Sequence, residues 1–253
     1  MKPFECSYAL VSKELIFFKR RFFQNYNLQE YTPDKDTESV IMFGFYTKED
    51  KLKITELILS KKKVFLVWGG MDCHTKKHFE KLSRSWEKNI IHVSISTTIE
   101  QTLKKNNIDS LIWKDFSLLD QSSFDNLKKI SSHHPPNCIY IYNGLYGKKY
   151  RESFFRKDIY NEVMEELITK HNFTSAQFIL SNTLHKPYEE MPQLYSKCFI
   201  GLRLCDKDGN ANTVQEFEYL NIPIIHNCSD YGLKWSTKND IIKIILHHNQ
   251  TQC

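Results

Sequence analysis

Short apolar runs rich in Val, Ile, Phe and Tyr alternate with longer amphipathic stretches along most of the chain. Ser39–Tyr46, Val64–Trp68, Ile90–Ser94 and Ser110–Trp113 read as strands, separated by helical patterns over Lys51–Ser60, Lys76–Glu87 and Thr98–Lys105. Near-continuous apolar runs of this kind suit strands buried on both faces, hence a parallel sheet covered by helices. Polar text from Asp120 to Asn137 interrupts the pattern, with His133-His134-Pro135-Pro136 as its strongest breaker. Alternation then resumes, with strands at Cys138–Tyr142, Ala176–Leu180, Cys198–Leu204 and Ile222–His226 and helices at Asp158–His171, Glu189–Ser196, Thr213–Leu220 and Lys238–His248. The pattern predicts an α/β protein of two small doubly wound units, residues 38–130 and 131–253, after a basic and aromatic segment at 1–37. Such units bind ligands beyond the carboxyl ends of their strands, so the expected site is a cleft between them.

Composition narrows the functional classes. Among 253 residues, 35 Lys and Arg against 30 Asp and Glu give a net charge of +5, too small and too evenly spread for a nucleic-acid binder. Seven scattered cysteines, an odd number with no C-x-x-C pair, fit neither a disulfide framework nor a zinc ribbon. With no signal-peptide pattern at the start, reduced thiols in a cytoplasmic protein are expected. No apolar run is long enough to cross a bilayer. Leu15-Ile-Phe-Phe-Lys-Arg-Arg-Phe-Phe23 combines cations with aromatics; it reads as a helix packed on the first unit or as a peripheral membrane contact. Alanine occurs only three times while Lys, Asn and Ile abound, which suggests an AT-rich coding genome, viral or low-GC bacterial.

The stretch from Cys198 to Asn227 carries the chemistry: a buried strand, a polar loop with glycine, a helix and another strand. Asn212 or Thr213 is a good N-cap, and free N–H groups at a helix start attract phosphate through unpaired donors and the helix dipole. Asp208 sits in the loop before this helix and Glu216 in its first turns, where carboxylates can accept hydrogen bonds from sugar hydroxyls.

Asp208 and Glu216 have the E-x7-E spacing, and Glu216-Phe-Glu-Tyr-Leu-Asn-Ile-Pro-Ile the following helix pattern, of retaining GT-B glycosyltransferases. The segment resembles glycosyltransferase family 4 in particular, with Asp in place of the first Glu and Asn221 in place of a glycine. The resemblance implies a GT-B-like fold, two Rossmann-like domains facing a cleft, and a metal-independent enzyme with no cofactor. The second domain would bind a UDP- or GDP-sugar, and the sugar would pass to a hydroxyl acceptor on a glycan, glycolipid or glycoprotein. By the same resemblance Asp208 would orient the sugar, Glu216 would bind the ribose, and Asn212, Thr213 and Val214, with Gly209 and Asn210 before them, would hold the diphosphate. Asn143, Gly144, Lys148 and Lys149 fall where the family's second domain ends its first strand in a glycine turn with basic residues. Lys148, Lys149 or Arg203 would neutralise the departing diphosphate; a solvated surface charge is the other reading of each lysine.

In the first unit, Gly69-Gly70-Met71-Asp72 ends a strand in a double-glycine turn before a carboxylate. Gly69, Gly70 and Asp72 read as acceptor-side residues, or Asp72 as a helix N-cap; His92 reads as acceptor-side or as a core histidine. No metal site is expected, since His133 and His134 have no third ligand at a suitable spacing. No phosphate loop, dinucleotide fingerprint or nucleophile elbow occurs. The alternative to a transferase is a GT-B-like nucleotide-binding or scaffold module without turnover.

Overall fold

The computed structural model describes residues 2–250 except 75–87, 121, 123, 126–135, 145–152, 187, 206–207, 209–210 and 230. The helix expected over Lys76–Glu87 and the His133-His134 pair therefore lie outside the described residues. Contacts divide the chain into two α/β units, Met1–Leu118 with Lys207–Asn210 and Leu119–Asp206 with Ala211–Cys253, and the main division falls ahead of the boundary near residue 130 that the polar stretch suggests.

The first unit is built on a six-stranded sheet. Its strands are β1 (Tyr8–Val11), β2 (Gln29–Glu30), β3 (Ser39–Phe43), β4 (Lys63–Val67), β5 (Ile90–Ser94) and β6 (Ser110–Ile112). Every pairing is parallel and the spatial order is β2-β1-β3-β4-β5-β6. β3 and β4 are apolar at nearly every position because both faces are covered. Helices α1 (Lys19–Tyr26), α2 (Lys48–Leu59) and α3 (Thr97–Lys105) supply the cover. The Thr47 hydroxyl and the Asp50 carboxylate form a capping box that starts α2, and the Ser96 hydroxyl caps α3.

The segment at 1–37 does not stand apart: it contributes β1 and β2 to this sheet. At four and two residues the two strands are too short to show a hydrophobic period. Phe22 of α1 is fully buried, 4.6 Å from the Phe43 ring and 6.1 Å from Phe116.

The second unit carries β7 (Cys138–Ile141), β8 (Phe178–Leu180), β9 (Cys198–Leu202) and β10 (Ile224–Ile225), all parallel, in the order β10-β9-β7-β8. Its helices are α4 (Lys157–His171), α5 (Met191–Tyr195), α6 (Asn212–Tyr219) and α7 (Lys238–Gln250). Ile139 and Ile141 of β7 pack with Tyr160, Val163 and Leu167 of α4 and Ile241 and Ile245 of α7. On the opposite face Tyr140 meets Tyr195 at 5.1 Å and Phe217 at 5.6 Å. In both units the first strand lies between the second and the third, so the sheet changes its direction of growth there, between β1 and β3 and between β7 and β9. Ligands of doubly wound sheets bind at the carboxyl ends flanking such a switch point.

Candidate functional site

Asn143, Gly144 and Arg203 follow β7 and β9, at the switch point of the second unit. Asn143 is 1% exposed, and its Oδ1 accepts the Asn182 N–H at 2.9 Å while Nδ2 lies 3.4 Å from the Tyr160 hydroxyl. The Ser181 hydroxyl accepts the Asn143 N–H at 2.9 Å and donates to the Gly144 carbonyl at 2.7 Å. The polar atoms of Asn143 thus join the ends of β7 and β8. Gly144 sits at φ 118°, where a side chain is strained, which explains the glycine.

Arg203 is 9% exposed, with its guanidinium carbon 4.0 Å from the Tyr142 ring centroid and 5.2 Å from that of Phe155. Both rings hold the cation at the carboxyl end of β9. His226, at the end of β10, is fully buried, and its Nδ1 lies 3.0 Å from the Arg203 carbonyl. A carbonyl only accepts, so this nitrogen carries the proton. Cys205 is fully buried in the segment after β9.

Helix α6 starts at Asn212 without a side-chain cap and without an acid in its first turn. The Ala211 carbonyl accepts from Val214 and Gln215 at 3.0 and 3.2 Å, so the helix bonds begin there. The first-turn amides precede them, and Thr213 and Val214 are buried. Asp208 is half-buried in the preceding loop. Glu216, in the second turn, is 2% exposed, and its Oε2 accepts the Tyr195 hydroxyl at 2.8 Å. Burial and the adjacent carboxylate push the Tyr195 hydroxyl well above the usual phenol range. Lys148, Lys149, Gly209 and Asn210 lie outside the described residues.

In the first unit the acceptor-side candidates Gly69, Gly70 and Asp72 share one turn after β4. Asp72 is fully buried, and its carboxylate takes four backbone N–H bonds: Phe45 and Gly69 on Oδ2, both at 3.0 Å, and Gly70 and Cys73 on Oδ1 at 2.9 and 3.0 Å. Burial outweighs these donors and pushes the carboxyl up to about 6. The carboxylate therefore clamps the chain after β3 to the turn after β4. Gly69 and Gly70 are two of its donors; a Cβ on Gly69 would meet Leu15 Cδ1 at 2.8 Å.

His92 lies inside β5, and its Nδ1 accepts the indole N–H of Trp68 at 3.1 Å. The ring is half-buried within the sheet, and burial holds its imidazole down at about 4. It lines a cavity of about 470 Å³ with Ile90 and Asn107–Leu111, at the amino ends of β5 and β6, opposite the ligand-binding end. The neutral ring is favoured in the fold, so its stabilisation is present above pH 6.5 and is lost as pH falls toward 4. We expect His92→Gln to remove up to about 3 kcal/mol of this acid sensitivity, read from urea unfolding at pH 7 and pH 4.5.

Ser181, Tyr142 and Phe155 were not expected at this edge, nor Tyr195, which ends α5 ahead of β9, as the partner of Glu216. Only Tyr142, ending an apolar run that a glycine follows, gave a sequence signal; the others reach the edge by tertiary packing.

No family model matches the chain, and no curated protein matches it. Solved structures do. One is HepE of Anabaena, determined in complex with UDP: TM-score 0.57 over 98% of this chain and 92% of that one, at 7% identity. Another is sucrose-phosphate synthase of Thermosynechococcus elongatus: TM-score 0.52 over 93% of this chain and 68% of that one, at 9% identity. At these identities the likeness speaks for the fold, and it agrees with the parallel sheets and their switch points. The chain has the Rossmann-like α/β architecture of the GT-B glycosyltransferase fold.

Proposed function

We propose that the chain is a glycosyltransferase of the retaining, family 4-like type, which moves a sugar from a UDP- or GDP-sugar to a hydroxyl acceptor without a metal. The observation that carries this reading is the polar edge of the second unit. There an uncapped, acid-free helix start and an aromatic-held arginine flank a switch point, with a buried glutamate one turn into the helix. The helix start and Arg203 supply positive potential for a diphosphate, and Glu216 supplies a carboxylate for ribose hydroxyls. Asp208 would orient the sugar. Lys148 and Lys149 are further candidates for the diphosphate. The UDP in the HepE structure supports a uridine nucleotide as the first ligand to try. Catalysis would consist of positioning the acceptor and stabilising the departing diphosphate, which itself takes the acceptor proton.

Titration calorimetry with UDP and GDP, with and without EDTA, tests the reading. EDTA is included because Cys205, Asp208 and His226 bring a thiol, a carboxylate and an imidazole within 4.8 Å of one another. Wild type is expected to bind one of the two nucleotides equally well in both conditions. Glu216→Gln keeps the volume and the contact with Tyr195 and is expected to weaken binding about tenfold or more. Truncation to alanine is less informative, because it would also remove a partner of the buried Tyr195 hydroxyl. No binding by wild type overturns the nucleotide site, and unchanged affinity in Glu216→Gln removes that residue from it.

The second reading is a binding module without turnover. The existing Glu216–Tyr195 bond and the shorter Asp208 favour it. Release of free sugar from the bound nucleotide sugar separates the two, and the anomeric configuration of the product, read by NMR, tests retention.

A further inference from the structure

The basic and aromatic segment at Leu15–Phe23 takes no part in the proposed nucleotide site, and the structure gives it a specific shape. It begins in a 3-10 turn, Lys13–Phe18, directly after β1. Leu15 is 7% exposed and packs tightly against the chain after β3 and β4, where a Cβ on Gly44 or Gly69 would meet its Cδ1 at 2.7 or 2.8 Å. Ser12 bonds Asp50 at 2.8 Å, and Phe22 is fully buried. The segment is thus anchored on both sides of Ile16 and Phe17. These two side chains remain 53% and 58% exposed, and the anchors hold them outward.

The charge around them is one-sided. Between Lys13 and Arg21 there are four cations and one acid, and Lys13 and Arg20 are exposed. Arg21 lies over the Phe18 ring at 5.2 Å, and Lys19 pairs with Glu30 at 2.6 Å. An exposed apolar pair within a cation-rich segment matches an anionic bilayer surface, with apolar side chains at the acyl boundary and cations among the headgroups. Two side chains are too few for a protein partner, since a stable interface needs on the order of 800 Å² per side.

We propose that Ile16 and Phe17, with the surrounding cations, dock the first unit on an anionic membrane surface. The inference is independent of the nucleotide reading, and the two fail separately. The test is flotation of the full chain with vesicles of phosphatidylcholine alone and of phosphatidylcholine with phosphatidylglycerol. Wild type is expected to float with the anionic vesicles only, and to be released as salt rises from about 0.1 M to about 1 M, where the Debye length shrinks to roughly 3 Å. The double variant Ile16→Ser, Phe17→Ser changes only exposed side chains and is expected to lose about tenfold or more in partitioning, with UDP affinity and thermal unfolding unchanged. Lys13→Gln with Arg20→Gln should weaken the salt-dependent part. The proposal is overturned if wild type stays with the protein fraction, if the double variant floats as well as wild type, or if the serines only abolish self-association in the absence of lipid.

Discussion

Asp72→Asn is expected to lower the unfolding free energy by about 2 kcal/mol, the cost of orphaned N–H groups less the relief of removing a buried charge, and the largest single effect we anticipate in the first unit. Each oxygen of this buried carboxylate accepts two backbone N–H groups. An amide keeps one acceptor oxygen and replaces the other with a donor, so two buried N–H groups face an NH2 in either orientation. Each buried donor without an acceptor costs roughly 1–3 kcal/mol. The damage should stay local to the ends of β3 and β4, the two strands that the carboxylate joins. Urea unfolding at pH 7.5, followed by tryptophan fluorescence, checks it, since Trp68 lies directly after β4. A loss under 1 kcal/mol would mean that these turns relax and find other acceptors. UDP affinity of the folded fraction should not change, because the clamp belongs to the first unit.

The second large effect is expected at Gly201, the penultimate residue of β9. A Cβ built there meets Phe217 Cε1 at 2.5 Å and two more of its ring atoms at 2.9 Å. The ring cannot turn away, because Phe217 is fully buried and lies 4.8 Å from Tyr195 and 5.6 Å from Tyr140. Gly201→Val must therefore lift α6 from the sheet, at a cost of roughly 3 kcal/mol for overpacking. Glu216 precedes Phe217 in that helix, so the same displacement is expected to weaken nucleotide binding about tenfold, with no side chain of the proposed site altered. A urea midpoint and a UDP titration on the same preparation read both effects. Loss of stability with full affinity would separate α6 from nucleotide binding.

Alternation of β-rich and amphipathic text made the parallel α/β class legible, and eight of the strands lie on runs read as strands. β1 and β2 were illegible because their six residues together span less than one amphipathic pattern, and neighbouring strands complete them. The helix over Asn212–Tyr219 and its buried Glu216 were legible from the strand-loop-helix-strand text. The burial of Asn143 was not, because its partners Ser181 and Asn182 come from a strand end some forty residues away. Asp72 shows why a motif is not a role. The double-glycine turn before a carboxylate was visible, but whether the carboxylate faces a ligand or its own backbone depends on the Phe45 amide, brought in from the neighbouring strand. His92 likewise required Trp68 on β4's continuation, a cross-strand partner without sequence proximity.

Leu15 has a further consequence. The two sheets share the same wiring, so a nucleotide would meet two topologically equivalent crevices. In the first, the chain supplies its own occupant: Leu15 sits against the glycines that follow β3 and β4, next to Ser12 at the end of β1. In the second, the corresponding edge carries an arginine, a helix start and a glutamate. The first crevice is thereby closed by the chain itself, and the calorimetric stoichiometry expected is no more than one nucleotide per chain.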